Sequence, residues 1–339
     1  MRVTAQDIID VAQHGRRTWQ TPNGPWTLLQ SDLAALDPEW TGDADDLQPM
    51  TAQTIAGVLN ERRPWEGEDD AVSPLGWADG VDTTVPSVAR IYDYYLGGTH
   101  NFEVDREAAR KASEVMPGIA VMARTNREFL HRAVRFMVGA GVRQFLDIGS
   151  GIPTVGNVHE IAQLAAPDAR VMYVDLDVVA ATHSRQILIG NDRAAAIRED
   201  VRKPEAIMDH PATVALLDRD QPIGVLMVSL LHFITDDDDP RGIIARFRDA
   251  LAPGSYLVLT HVVPFEAERV AGLHRVYDKT TTPGGQTRTR EEVERLFDGF
   301  ELVEPGLVWL PLWRPDRPSD VPDDPERIGM LAGVGRKIG

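Results

Sequence analysis

The stretch Asp147-Ile148-Gly149-Ser150-Gly151 ends an apolar run on an acid, breaks into glycines and reopens as something helical. Gly149 and Gly151 let the backbone turn sharply and let a ligand lie against bare peptide. The helix that follows presents its N-terminus, which favours negative charge. A second acid, Asp175 in "VMYVDLD", follows Gly151 by 24 residues, the distance at which a carboxylate accepts hydrogen bonds from a ribose diol. Asp177 lies close enough to compete for that role. A third acid, Asp200 in "AAAIREDV", can accept from an exocyclic adenine amine, with a backbone N–H beside it at Val201 for a ring nitrogen.

Two adenosine-bearing cofactors compete for such a site. "GSGIPT" superficially matches the G-x-G-x-x-G of a nicotinamide dehydrogenase, but Thr154 replaces the third glycine and Pro153 occupies the turn. Asp147 also precedes the loop, and a pyrophosphate does not welcome a carboxylate beside its cradle. A cofactor with an ammonium group and no phosphate does, and S-adenosylmethionine has both properties. The loop therefore suits an amino acid joined to a nucleoside better than a dinucleotide. Ser150 within the loop, Leu176 beside Asp175, and Ser229 after the fourth strand complete the expected cofactor set.

These residues need a scaffold that brings three strand ends to one rim. From about residue 81 short β-rich runs alternate with helices: "VRQFLDIG", helix 156–165, "RVMYVDLD", helix 178–189, "AAAIRED", a short helix near 204–209, "IGVLMVSLLHF", helix 239–252, "SYLVLTHVV". Apolar strands separated by helices indicate a parallel sheet covered on both faces. Three helical patterns precede it: "VARIYDYYLGG", "DREAARKASEVM" and "RTNREFLHRAVRFMVGAG". After helix 290–298 come "FELVEPG", "LVWLPLW" and "GMLAGVGRK" with only loops between them, as expected where a hairpin closes one edge. The expectation is an open doubly wound α/β sheet with an antiparallel finish, in which ligands bind beyond the carboxyl ends of the strands.

Residues 1–80 differ. Two candidate helices, "TAQDIIDVAQHG" and "TAQTIAGVLNER", each open on a Thr able to cap them, and "TPNGPW", "DPEWTGDADD" and "RPWEGEDDAVSPLGWADG" read as loops. Five of the seven Trp residues, Trp19, Trp26, Trp40, Trp65 and Trp77, fall here, too many large rings for a wholly disordered tail. The expectation is a helical accessory region over 1–80, partly ordered, ahead of a catalytic domain over 81–339.

Composition narrows the function. With no cysteine in 339 residues, disulfides, thiolate nucleophiles, zinc-cysteine sites and cysteine-ligated clusters are excluded. A net charge of -17 argues against a nucleic-acid substrate, because phosphate affinity comes from clustered Lys and Arg. The longest apolar runs fall far short of the roughly 20 residues that span a bilayer, and the polar N-terminus does not suit a signal peptide. A soluble cytoplasmic protein without a membrane partner is expected.

The segments "PSVARIYDYYLGGTHNFEVDREAA", "NREFLHRAVRFMVGAGVRQFLDIGSGIPTVGNVHE", "YVDLD", "LLHFITDDDDP", "FDGFELVEPGLVWLPLWRPD" and "GVGRK" closely resemble the bacterial S-adenosylmethionine methyltransferase family once catalogued as domain of unknown function 574. The resemblance covers roughly residues 84–337. It implies a class I methyltransferase fold of seven strands, the last inserted antiparallel. Position by position it assigns Asp147, Gly149, Gly151, Asp175 and Asp200 to the cofactor.

Other candidates carry two readings each. His232, just past the fourth strand, is either a general base for a hydroxyl or amine or a packing residue. Arg90, Tyr92, Tyr94, Tyr95, Gly97, Gly98 and Asn101 form either a lid that bends at its glycines or a helix capping the sheet. The quartet Asp236–Asp239 precedes Pro240 and suits helix capping better than a metal; no metal site is expected. His159 and His261 read as packing residues, and Arg288 and Arg290 as surface arginines or partners of an acidic substrate group. The expected activity is methyl transfer to an O or N nucleophile of a small molecule or peptide, with secondary-metabolite tailoring as an instance. A non-catalytic sensor of the cofactor or its demethylated product, and a nicotinamide-dependent oxidoreductase, are the alternatives.

Overall fold

The computed structural model describes residues 16–21, 24–29 and 82–339 except 154–155, 265–266 and 283–284. The chain divides into two units, Met1–Asp79 and Gly80–Gly339. In the first, β1 (Arg16–Thr21) and β2 (Gly24–Leu29) pair antiparallel, Trp19 opposite Trp26. The strands overlap "TPNGPW", which was expected as a loop. The two helices expected at "TAQDIIDVAQHG" and "TAQTIAGVLNER" lie outside the described residues.

In the second unit α1 (Val88–Tyr95), α2 (Glu103–Val115) and α3 (Ile119–Gly139) precede the sheet. Then follow β3 (Gln144–Ile148), α4 (Val158–Ala165), β4 (Arg170–Asp175), α5 (Val178–Ile187), β5 (Ala194–Arg198), α6 (Pro204–Met208), α7 (Pro211–Leu216) and β6 (Gly224–Met227). The chain continues through α8 (Pro240–Asp249), β7 (Tyr256–Val262), α9 (Ala267–Tyr277), α10 (Arg290–Arg295), β8 (Phe300–Leu302), β9 (Val308–Trp309) and β10 (Met330–Lys337). The strand order is β5-β4-β3-β6-β7-β10-β8, with β9 attached to β10. The first five strands run parallel, and β10 runs against both neighbours. The last strand is thus not an edge; it inserts between β7 and β8, and β8 forms the border. Gly333 and Gly335 permit this, because a Cβ at either would come within 2.9 Å of the Phe297 ring.

Side chains alternate across the strands and both faces are buried. Phe145, Val171 and Val258 join α3, α4 and Trp313 on one side, where Trp313 meets Phe129 and Phe136 edge-on at 5.3 and 5.8 Å. Leu146, Met172 and Leu257 join α6, α8 and the Leu296–Phe297 turn that follows α10 on the other. Unbroken apolar strands are what a two-sided sheet requires. A smaller cluster draws Ile91 and Tyr95 of α1 together with Ala109, Ala112, Ile119 and Ala123, and with Leu273 and Tyr277 of α9. Helix α9 was not anticipated from the sequence. Among the described residues no helix is long and apolar enough to cross a membrane.

Candidate active site

Because β3, β4 and β5 are parallel and in register, with Ile148 opposite Val174 and Asp175 opposite Arg198, Asp147, Asp175 and Asp200 come to one rim. They border a cavity of about 660 Å³ lined also by Gly149, Ser150, Gly151, Leu176, Val201, Ser229 and His232. All nine cofactor candidates and the candidate base therefore reach one space.

The loop geometry has clear causes. Gly149 and Gly151 both have φ of 68°, a region that costs other residues about 1–2 kcal/mol. A Cβ at Gly149 would also lie 2.7 Å from Leu230 Cδ1. The Gly149 N–H donates to Val174 O at 2.8 Å, and the Gly151 N–H to Asp175 Oδ2 at 2.7 Å. Asp175 Oδ1 accepts from the Asp177 N–H at 2.8 Å. One carboxylate thus clamps the loop to β4 and keeps lone pairs for a diol. Asp177, the competing acid, caps α5 by accepting from the Val179 and Ala180 N–H groups, and it accepts from Ser87 Oγ. Its side chain is committed to structure. Asp200 is engaged by Arg202, Nε to Oδ1 at 2.9 Å. Burial works against its charge, but the Arg202 side chain and backbone N–H outweigh it and the carboxyl titrates below the usual range.

The electrostatics set the other two acids apart. Burial pushes Asp147 up to about 7, with the Arg127 guanidinium opposing and the Asp175 charge adding to the shift. Burial likewise raises Asp175 to about 6, against the pull of the Asp177 and Gly151 N–H groups. Two carboxylates whose charged forms burial disfavours suit a cationic or hydroxyl-bearing partner. Burial drives His232 down to about 3, helped by His261 and Arg288, so its imidazole is neutral at physiological pH.

Sequence reasoning missed several wall residues. Asn126 of α3 donates to Ser229 Oγ at 2.8 Å and to Tyr92 Oη at 3.0 Å, and Arg127 beside it also lines the cavity. Ser229 has φ of 57°, held by its N–H on Thr260 Oγ1; a positive φ away from glycine often marks a working site. Three buried polar atoms on the wall lack a partner within the described residues: Ser150 Oγ, Asn126 Oδ1 and His232 Nδ1. Such atoms are rare in native proteins and point to a bound group.

The candidate lid divides. Arg90, Tyr92 and Tyr95 line the cavity, whereas Tyr94, Gly97, Gly98 and Asn101 do not. Asn101 is spent on Asp93 Oδ2 at 2.8 Å and on Arg106, so it serves the turn. Gly98 has no room for a side chain, since a Cβ would sit 2.0 Å from Asp93 Oδ1. Gly98→Ala is expected to push buried Asp93 off the His100 N–H and Asn101, costing about 1–3 kcal/mol. A thermal melt reads the loss, and an unchanged midpoint would refute it.

Arg288 is neither surface arginine nor substrate group. It is 4% exposed and donates to Leu231 O, Ile234 O, Asp236 and His261, pinning the segment after β6. Arg290 lies over the Trp309 ring at 5.4 Å. Asp239 caps α8 through the Gly242 N–H, and Asp236 and Asp238 bind Arg288 and Thr235. His159 bonds the Tyr173 hydroxyl in the core. No group of acids and histidines placed to hold a metal occurs among the described residues.

The donor set fits S-adenosylmethionine: bare peptide at the glycines, an acid for a ribose, another beside the loop for an ammonium, and unpartnered polar atoms between them. Fold and site together define a class I methyltransferase. The description of the S-adenosyl methyltransferase family matches residues 76–338, and the chain belongs to that family. Among solved structures, a Thermobifida fusca YX protein assigned as a methyltransferase is 43% identical with a TM-score of 0.72, over 78% of this chain and 98% of its own. A DUF574 family protein from Streptomyces avermitilis is 39% identical, also at 0.72, over 76% and 99%. No curated protein matches the chain. The protein is an S-adenosylmethionine-dependent methyltransferase, which displaces the nicotinamide and non-catalytic alternatives.

Proposed function

We propose that the protein transfers the methyl group to an O or N nucleophile of a small molecule. The observation that carries this reading is the two-part cavity. Its acidic, glycine-lined end suits the cofactor, and its other end is closed over by α1, α3 and α9. A deep concave pocket with a largely apolar far end suits a free small molecule.

S-adenosylmethionine supplies an electrophilic methyl group on a sulfonium centre. In this reading Asp175 holds the ribose, Asp200 and Val201 the adenine edge, and Asp147 the ammonium, with Arg127 placed to take the carboxylate. The walls orient the acceptor and exclude water, so that proximity contributes most of the rate. His232, neutral and unpartnered at Nδ1, is too weak a base to ionise an ordinary hydroxyl. It suits a proton that becomes strongly acidic only as the acceptor is methylated.

The raised acids give the cofactor site a signed pH dependence. A ligand that selects ionised Asp147 and Asp175 releases protons on binding. Affinity should rise from about pH 5 to pH 8, by up to about tenfold per pH unit per carboxylate below its pKa. In the ligand-free protein the stability linked to these acids is fully present below their unfolded value of 3.8 and is lost by about pH 7. Calorimetry in buffers of different ionisation enthalpy measures the proton release; uptake on binding, or affinity independent of pH, would overturn the assignment.

The acceptor reading is tested by incubating the enzyme with methyl-labelled cofactor and a size-fractionated bacterial extract. Label is expected in the small-molecule fraction. Label confined to protein or nucleic acid would refute it.

A further inference from the structure

The half of the cavity away from the glycine loop is an aromatic slot. His232 and Phe233 rings lie 4.3 Å apart, and Phe233 and Tyr277 rings 6.0 Å apart. Ile119, Met122 and Leu273 face the same space. Charged lining residues collect around Asp175, Glu199, Asp200 and Arg202, with Arg127 beside Asn126, while Arg90 is consumed by Asp105. From α9 to Thr287 the described residues contribute no Lys, Arg, Asp or Glu to the wall.

Beside Ser229, to which the Asn126 amide donates, the chemistry of the wall changes. Asn126 Oδ1 and His232 Nδ1 are buried without partners, and an amide oxygen can only accept. A ligand that fills the apolar space and donates one hydrogen bond there satisfies the wall. A carboxylate would meet an accepting oxygen and an uncharged imidazole, while Arg127, the wall cation beside Asn126, is the group assigned above to the cofactor's own carboxylate.

From this arrangement we infer that the acceptor is an uncharged, planar aromatic compound with a hydroxyl or N–H on one edge, laid against the wall that Phe233 and Tyr277 form together. The assignment rests on the methyltransferase reading of the cavity and narrows its acceptor. Flat faces lined by rings favour aromatic ligands over aliphatic ones of similar size, through offset and edge-on contacts.

The test is equilibrium binding to the full chain saturated with S-adenosylhomocysteine, using 2-naphthol, 2-naphthoate and 1-octanol as probes. Binding of 2-naphthol at least about tenfold tighter than either alternative is expected, a difference of about 1.4 kcal/mol. Phe233→Ala and Tyr277→Leu should each weaken it several-fold, whereas Tyr277→Phe, which keeps the ring, should not. Titration of each variant with S-adenosylhomocysteine separates loss of the slot from loss of the fold. Equal or tighter binding of naphthoate or octanol overturns the inference, as does absence of naphthol binding to a protein that binds S-adenosylhomocysteine. If neither ligand binds, the cofactor reading falls with it.

Discussion

Replacing Asp175 with alanine is expected to lower affinity for S-adenosylmethionine and S-adenosylhomocysteine by about two orders of magnitude or more. A hydrogen bond to a charged group contributes roughly 1.5–3 kcal/mol, and the carboxylate is placed to offer two to a diol while holding the loop. Its own bonds to the Gly151 and Asp177 N–H groups, at 2.7 and 2.8 Å, fix where the loop backbone lies. Stability should move less than affinity, because removing a buried carboxyl raised to about 6 relieves an unfavourable charge even as two N–H groups lose their acceptor. Asp175→Asn keeps an acceptor and should fall between. Titration calorimetry beside a thermal melt separates the effects; unchanged affinity would return the ribose role to Asp177.

Arg90→Ala carries the largest expected cost to the fold. Arg90 and Asp105 are 2% and 0% exposed, with Nε 2.8 Å from Oδ2. Arg90 also donates to Val85 O and lies 5.2 Å from the Phe102 ring. Truncating one partner strands a buried carboxylate with only the Ser87 and Phe102 N–H groups, at about 3–5 kcal/mol. For a unit of this size that lowers the melting midpoint by about 10 °C. Adding Asp105→Asn should recover part of the loss, since residues in one network are not additive. A double variant as unstable as the sum of the singles would show the pair is not coupled. The helix that closes the cavity depends on this pair, so cofactor release should also quicken.

The sheet and its acid-lined rim were legible because parallel strands must be apolar throughout, and because an acid ending a strand before glycines has few structural uses. Asp177 misled for a local reason: it stands just ahead of a helical run, where an acid's commonest task is to cap. Helix α9 left a trace, since Val270, Leu273, His274 and Tyr277 follow a helical spacing. It passed unread beside the Pro and Gly residues that flank it. The order β7-β10-β8 could not follow from the order of strands along the chain; the family resemblance implied it and the sequence pattern alone pointed to an edge. Asn126 and Arg127 were invisible because their meaning is tertiary; Ser229 was named from the sequence, but its positive φ was not foreseen. Arg288 reads as a solvated arginine in sequence and proves to be a buried clamp.

We propose that the Gly149–Gly151 loop, Asp175 and Asp200 together cradle the cofactor. The most direct measurement is a crystal structure with S-adenosylhomocysteine bound. The expected density places the ribose at Asp175, the adenine between Leu176 and Val201, and the amino acid over the glycine loop. Density elsewhere in the protein, or an Asp175 left without a contact to the ligand, would contradict it.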